Sequence, residues 1–248
     1  MPESTSPNIA PLHCDLLVFD LDGTLIDSEQ DLANSVNATL GFLGRPRLEL
    51  HQIVSFVGDG VAMLVRRALD ATGHTDERET EELLTEALPF FLEYYRDHNL
   101  DFTYVYPGVI ASLKAIRKAA PDLPMAVLTN KPVRPSRAIC DGLGLTPFFF
   151  QNYGGDSFPL KKPNPLGIRT LMQEASKFLD REVSPQRTVL VGDSHVDAET
   201  ARNAGILCLG CLHGLDAERL QAAKPNALAP TPHDWLTTLR DLLSLPQA

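Results

Sequence analysis

Two aspartates separated by one leucine, Asp20 and Asp22, stand in FDLDGTL directly after the apolar run LLVFD. Burying a carboxylate costs several kcal/mol unless a metal or a cation pairs with it, so the pair either lies at an exposed strand tip or has a task. Three further apolar runs end the same way. MAVLT (125–129) leads into Thr129, Asn130 and Lys131, and FFFQN (148–152) runs into GGDSFPLKKPNP with Lys161 and Lys162. TVLVGD (188–193) ends in Asp193, with Ser194 and Asp197 just beyond. A single aspartate after a strand reads as a helix N-cap. Polar clusters at four run ends point instead to one shared site.

Carboxylates about 4 Å apart repel by about 4 kcal/mol at an effective dielectric near 20. Asp20, Asp22 and Asp193 would therefore raise one another's pKa unless a cation intervenes. A hard divalent ion with oxygen ligands, Mg²⁺, answers this and suits phosphate substrates, with Lys162 as a second positive charge. Phosphoryl transfer follows as the natural chemistry. Asp20 would attack phosphorus and become an aspartyl-phosphate. Asp22 would protonate the leaving alkoxide and then deprotonate the hydrolytic water. Thr129 and neighbouring backbone N–H groups would bind the phosphoryl oxygens.

The elements that must position these groups are legible as short β-branched runs alternating with helix-period segments, an α/β pattern with a parallel sheet. A fifth run, ILCLG (206–210), follows the helical spacing of Ala198, Ala201 and Ala204, and Ile168, Leu171, Met172, Ala175 and Phe178 mark another helix. About a hundred residues separate LLVFD from MAVLT, too many for one crossover. They carry helical faces instead: Leu32, Val36, Leu40 and Leu43; Val61, Leu64, Val65 and Ala68; Leu84, Leu88, Phe91, Leu92 and Tyr95. Ser28 followed by Asp31 reads as a capping box for the first. The expected organisation is a flexible tail over 1–12, a Rossmann-like core over 13–26 and 105–248, and a helical cap over 27–104. In such sheets ligands bind beyond the carboxyl ends of the strands, where the polar clusters collect.

Composition excludes some partners. The 248 residues carry a net charge of −10, which argues against nucleic acid. No apolar run approaches the roughly 20 residues of a membrane span, and MPESTSPNIAP has no signal-peptide pattern, so a cytoplasmic protein is expected. Cys14, Cys140, Cys208 and Cys211 read as reduced thiols. Cys208 and Cys211 form a C-x-x-C, but on a strand they point to opposite faces.

FDLDGTL, LTNK, KKPNP and VGDSHVD resemble, in order, the four signature motifs of the haloacid dehalogenase-like phosphatases, over Leu16 to about Gly210. The resemblance implies a Rossmann-like core with a mobile, all-helical cap inserted after the first motif. It implies Asp20 as nucleophile and metal ligand, and Asp22 as acid/base with its carbonyl on the metal. It also implies Thr129 and Lys162 as phosphate binders, Asp193 as the third protein ligand of Mg²⁺, and Asp197 in support through water or Lys162. Lys162 directly precedes the proline of K-P-x-P, which leaves Lys161 as a surface charge. Asn130 is expected on phosphate, and His195 is expected to face solvent.

Asp22 separates the chain from the family's dehalogenases, which usually lack a second aspartate. FVGDGVAMLVRRAL, YYRDHN, YPGV and GGDSFPLKKPNP resemble the bacterial phosphoglycolate phosphatases, which implies a small phosphorylated metabolite bearing a carboxylate. Gly58 and Gly60 would let backbone N–H groups approach it at the start of a helix, and Arg67 is the candidate cation, with a solvated helix-face arginine as the other reading. Asp59, between the two glycines, departs from the neutral residue often found there. Another small phosphate ester, a phosphomutase or a catalytically silent phosphate binder remain as alternatives, and the chain is expected to be a monomer or homodimer. The complete Asp20, Asp22, Lys162 and Asp193 set speaks against the silent protein.

Overall fold

The structure, a computed structural model, describes residues 12–73 and 77–244. The tail expected over 1–12 lies, except for Leu12, outside the described residues. The chain opens with β1 (Leu16–Phe19), whose four residues are all buried. Their alternation serves two layers. Leu17 and Phe19 join one hydrophobic cluster, and Leu16 and Val18 join another on the opposite face. A strand apolar on both faces can only sit inside a sheet covered on both sides.

β2 (Ile26–Asp27) then leads into α1 (Glu29–Phe42), α2 (Leu50–Val54), α3 (Val61–Thr72) and α4 (Glu77–His98), and β3 (Tyr104–Val105) returns antiparallel to β2. This two-stranded ribbon is the neck of the helical unit. Leu32, Val36, Leu40, Leu64, Val65, Phe91 and Tyr95 bury its apolar faces, in the same cluster as Leu17 and Phe19.

The rest of the chain alternates helix and strand: α5 (Val109–Ala119), β4 (Met125–Leu128), α6 (Val133–Gly142), β5 (Gln151–Tyr153), α7 (Leu166–Leu179), β6 (Thr188–Gly192), α8 (His195–Ala204), β7 (Leu207–Cys211), α9 (Ala217–Ala222), β8 (Ala227–Ala229) and α10 (Trp235–Ser244). The main sheet is parallel, in the order β5-β4-β1-β6-β7-β8. β1 lies between β4 and β6, and successive strands lead away from it on both sides. The carboxyl ends of β1, β4 and β6 thus flank the point where the winding reverses, the place where such sheets open a crevice.

Two local expectations are corrected. Ser28 is the N-cap of α1 but makes no capping hydrogen bond. Its hydroxyl donates to Asp22 Oδ1 at 2.5 Å, while the buried Asp31 accepts the N–H groups of Phe102 and Thr103 and the Thr103 hydroxyl. Both side chains are drawn off the helix end by stronger tertiary partners. The strand expected over 148–152 begins only at Gln151, because Thr146–Phe148 forms a 3₁₀ turn and Phe150 stays 36% exposed. The C-x-x-C expectation agrees with the structure: Cys208 and Cys211 are free thiols in different clusters, on opposite faces of β7.

Candidate active site

Asp20 is the first residue past β1, and its N–H donates to the Val191 carbonyl at 2.9 Å, so the sheet ladder itself fixes its height beside β6. Asp193 is the first residue past β6. The chain turns at Gly23 with φ +81°, and a Cβ there would lie 2.1 Å from Asp193 Oδ2. Only glycine lets the loop after β1 close on the second carboxylate. Asp197 lies in the first turn of α8, where its carboxylate accepts the Ser194 N–H at 3.1 Å and the Ser194 hydroxyl at 2.7 Å in a capping box. Carboxylate oxygens of Asp20, Asp193 and Asp197 all lie within 4.8 Å of one another.

One cation is built into this cluster. Lys162 Nζ lies 2.9 Å from Asp20 Oδ1 and 2.6 Å from Asp197 Oδ1, and its side chain is only 2% exposed. One ammonium does not balance three carboxylates. Burial pushes the Asp20 carboxyl up to about 6; Lys162 opposes this and Asp197 adds to it. Asp193 is raised well above the usual carboxylate range, first by burial, then by Asp20 and Asp197, against hydrogen bonds from the Leu215 N–H and the Thr24 hydroxyl. Burial pulls the Lys162 ammonium down, and Asp197 and Asp20 more than reverse it. A site of hard oxygen donors with excess negative charge fits a small divalent cation.

Asp22 takes a different direction. Its carboxylate accepts the Ser28 hydroxyl and lies 2.9 Å, through both oxygens, from Lys131 Nζ. The aspartate pair is thus divided: Asp20 joins the carboxylate cluster, and Asp22 is held beside it by a separate lysine. Lys131 is buried and also stands over the Tyr95 ring at 4.8 Å. Burial lowers its pKa, and Asp22 and Tyr95 together more than restore it. Burial pushes the Tyr95 phenol up to about 12, so the hydroxyl keeps its proton.

A cavity opens over these groups, floored by Asp20, Asp22, Thr129, Asn130 and Asp193 and roofed by Gly58, Gly60, Leu64, Phe91 and Tyr95 of the helical unit. Thr129 is buried at the end of β4, and its Oγ1 accepts the Lys131 N–H at 3.2 Å. Asn130 lines the cavity floor. Its amide donates to the carbonyls of Gly58 at 3.0 Å and Lys162 at 3.1 Å, so both donor hydrogens bridge loops. Arg67 does not line the cavity: it donates to the Phe56 carbonyl at 2.9 Å and pairs with Asp59 at 2.5 Å. The departure at Asp59 thus explains the position of Arg67, since the two neutralise each other. Lys161, expected as a surface charge, donates to the Asp59 carbonyl and ties the roof to the core. His195 pairs with Asp216 at 2.9 Å, away from the carboxylate cluster.

Lys131 stands in the polar cluster after MAVLT, but residue pattern gives it no role, and Tyr95 falls on the apolar stripe of α4 and reads as core.

Comparison with known proteins supplies the family. Residues 17–211 match the haloacid dehalogenase-like hydrolases. The chain belongs to this family. Among curated members, it is 40% identical to the phosphoglycolate phosphatase of Pseudomonas putida over 213 residues, 85% of this chain and 74% of that one. It is 41% identical to the phosphoglycolate phosphatase of Chromobacterium violaceum over 214 residues, 85% of this chain and 90% of that one. Among solved structures, a predicted phosphoglycolate phosphatase from Haemophilus somnus superposes with a TM-score of 0.80 at 28% identity, covering 91% of this hydrolase and 97% of that chain.

Proposed function

We propose that this hydrolase cleaves 2-phosphoglycolate to glycolate and phosphate through an aspartyl-phosphate on Asp20, with Mg²⁺ as cofactor. The observation that carries the chemistry is the three-carboxylate cluster around Lys162, at the carboxyl end of the central strand, with Asp22 held separately alongside. The curated relatives carry the choice of substrate. The Asp20 and Asp193 carboxylates, with Asp22 through its backbone carbonyl, would hold the ion, and Asp197 would orient Lys162. Bound there, Mg²⁺ would supply positive charge against the phosphoryl oxygens and keep Asp20 ionised.

Asp20 attacks phosphorus as the bond to the glycolate oxygen breaks, and that oxygen takes a proton from Asp22. Asp22, now a carboxylate, removes a proton from the water that attacks the phosphoryl group, which returns Asp20 and releases phosphate. Thr129 and Lys162 donate to the phosphoryl oxygens. The roof excludes water while the intermediate forms. The substrate is a small metabolite, and among the described residues no helix is long and apolar enough to cross a membrane. A cytoplasmic setting is consistent with this.

The test is a panel of phosphate esters assayed with and without Mg²⁺. The expected result is Mg²⁺-dependent phosphate release with the highest kcat/KM for 2-phosphoglycolate, abolished in Asp20→Asn. Full activity of that variant would remove the mechanism. Another ester ranking first would remove the substrate.

A further inference from the structure

A substrate with a carboxylate beyond its phosphate needs a donor in the upper half of the cavity. Arg67 is held by Asp59 and Phe56 outside it. Lys162 is committed to Asp20, Asp197 and the phosphoryl end of the site, so it does not serve a second anion. The roof is largely apolar, formed by Leu32, Val61, Leu64, Phe91 and Leu92. Among the described residues that line the cavity, Lys131 is the one cation.

Tyr95 stands against it. The ring lies 4.8 Å from Lys131 Nζ, and the hydroxyl is buried with no hydrogen-bond partner. An unsatisfied buried hydroxyl is uncommon in a native structure and asks for an explanation. A ligand acceptor arriving in the cavity provides one. Lys131 has three N–H donors: the two Asp22 oxygens engage two, and the third is on the side of Tyr95, where a ligand acceptor would meet it together with the hydroxyl.

We infer that Tyr95 and Lys131 form the subsite for the substrate's carboxylate, with the Tyr95 hydroxyl and the Lys131 ammonium each donating to it. This rests on the reading of 2-phosphoglycolate as substrate. Phosphate is held by the core, and the second anion is read jointly by α4 of the roof and the loop after β4. Lys131 then touches both Asp22 and the carboxylate, so one ammonium joins substrate choice to placement of the acid/base.

The experiment compares full-length enzyme and variants, with Mg²⁺, on 2-phosphoglycolate and on ethyl phosphate, which keeps the two-carbon ester and lacks the carboxylate. The readout is the ratio of their kcat/KM values. Tyr95→Phe keeps the ring and removes only the hydroxyl. Its ratio is expected to fall roughly ten- to a hundredfold, the range for one hydrogen bond to a charged group, mainly through KM for 2-phosphoglycolate. Lys131→Gln should lower the ratio as well and also reduce kcat on both esters, because Asp22 loses its cation. Tyr94→Phe, the neighbouring tyrosine outside the cavity, controls for disturbance of α4 and should keep the wild-type ratio. A high wild-type ratio that both Tyr95→Phe and Lys131→Gln retain overturns the subsite and leaves the substrate reading standing. A wild-type ratio near one overturns both.

Discussion

Asp20→Asn should leave the metal-free protein more stable, even though it removes the nucleophile. Asp20 Oδ1 accepts the Leu21 N–H at 2.8 Å and the Lys162 ammonium at 2.9 Å, and the Asn oxygen can keep both. The amide nitrogen would replace the other carboxylate oxygen and bring no negative charge into the cluster with Asp193 and Asp197. What disappears is the charge that burial and Asp197 disfavour. An acid whose folded pKa is raised binds its proton more tightly when folded, so stability falls as pH rises from the unfolded value toward the folded one. For Asp20 that window runs from 3.8 to about 6. Above it, ionising wild-type Asp20 opposes folding by about 3 kcal/mol, at about 1.4 kcal/mol per pKa unit. In EDTA, urea unfolding should give Asp20→Asn and wild type similar stabilities near pH 4. By pH 7.5 the variant should lead by up to about 3 kcal/mol. A variant that is less stable at pH 7.5, or a difference that does not change with pH, would refute the account of an overcharged site.

Removing metal with EDTA should abolish phosphate release, and Mg²⁺ should restore it. Protons compete for the raised Asp20 and Asp193 carboxyls, so the Mg²⁺ concentration for half-activation should be markedly higher at pH 5.5 than at pH 7.5, read from activation curves. Lys162→Met leaves Asp20 and Asp197 buried without their shared cation, and should cost roughly 3–5 kcal/mol in urea unfolding as well as activity. Arg67→Ala should change KM for 2-phosphoglycolate and for an aryl phosphate by the same factor, because Arg67 braces the 56–60 loop; a selective effect on 2-phosphoglycolate would mean that it leaves Asp59 to meet the substrate. Gly60 caps α3 at φ +85° with a Cβ position 3.1 Å from the Asn130 carbonyl oxygen, so Gly60→Ala should distort the roof and lower kcat/KM on every ester tested.

The sequence by itself determined the sheet and the cluster at its edge. Apolar runs on both faces require a strand covered on both sides, and parallel strands deliver whatever follows them to one edge. Asp20, Thr129 and Asp193 could therefore be brought to one edge from the runs alone, whereas Lys162 was chosen over Lys161 by the resemblance of KKPNP to the family's motif. The long interval after LLVFD, with almost no strand pattern, likewise announced a helical unit, since no single crossover needs that many residues. The short β2–β3 neck was not legible in it. Tertiary structure decided how side chains with several possible partners chose among them. Ser28 and Asp31 have the spacing of a capping box, yet Asp22 and the Phe102–Thr103 backbone claim them. Arg67 could have met a substrate, and Asp59 claims it first. Lys131 and Tyr95, on segments far apart in the chain, meet only when α4 closes over β4. Periodicity reports which face a side chain occupies, whereas pairing depends on distances across the fold, and those are set by packing.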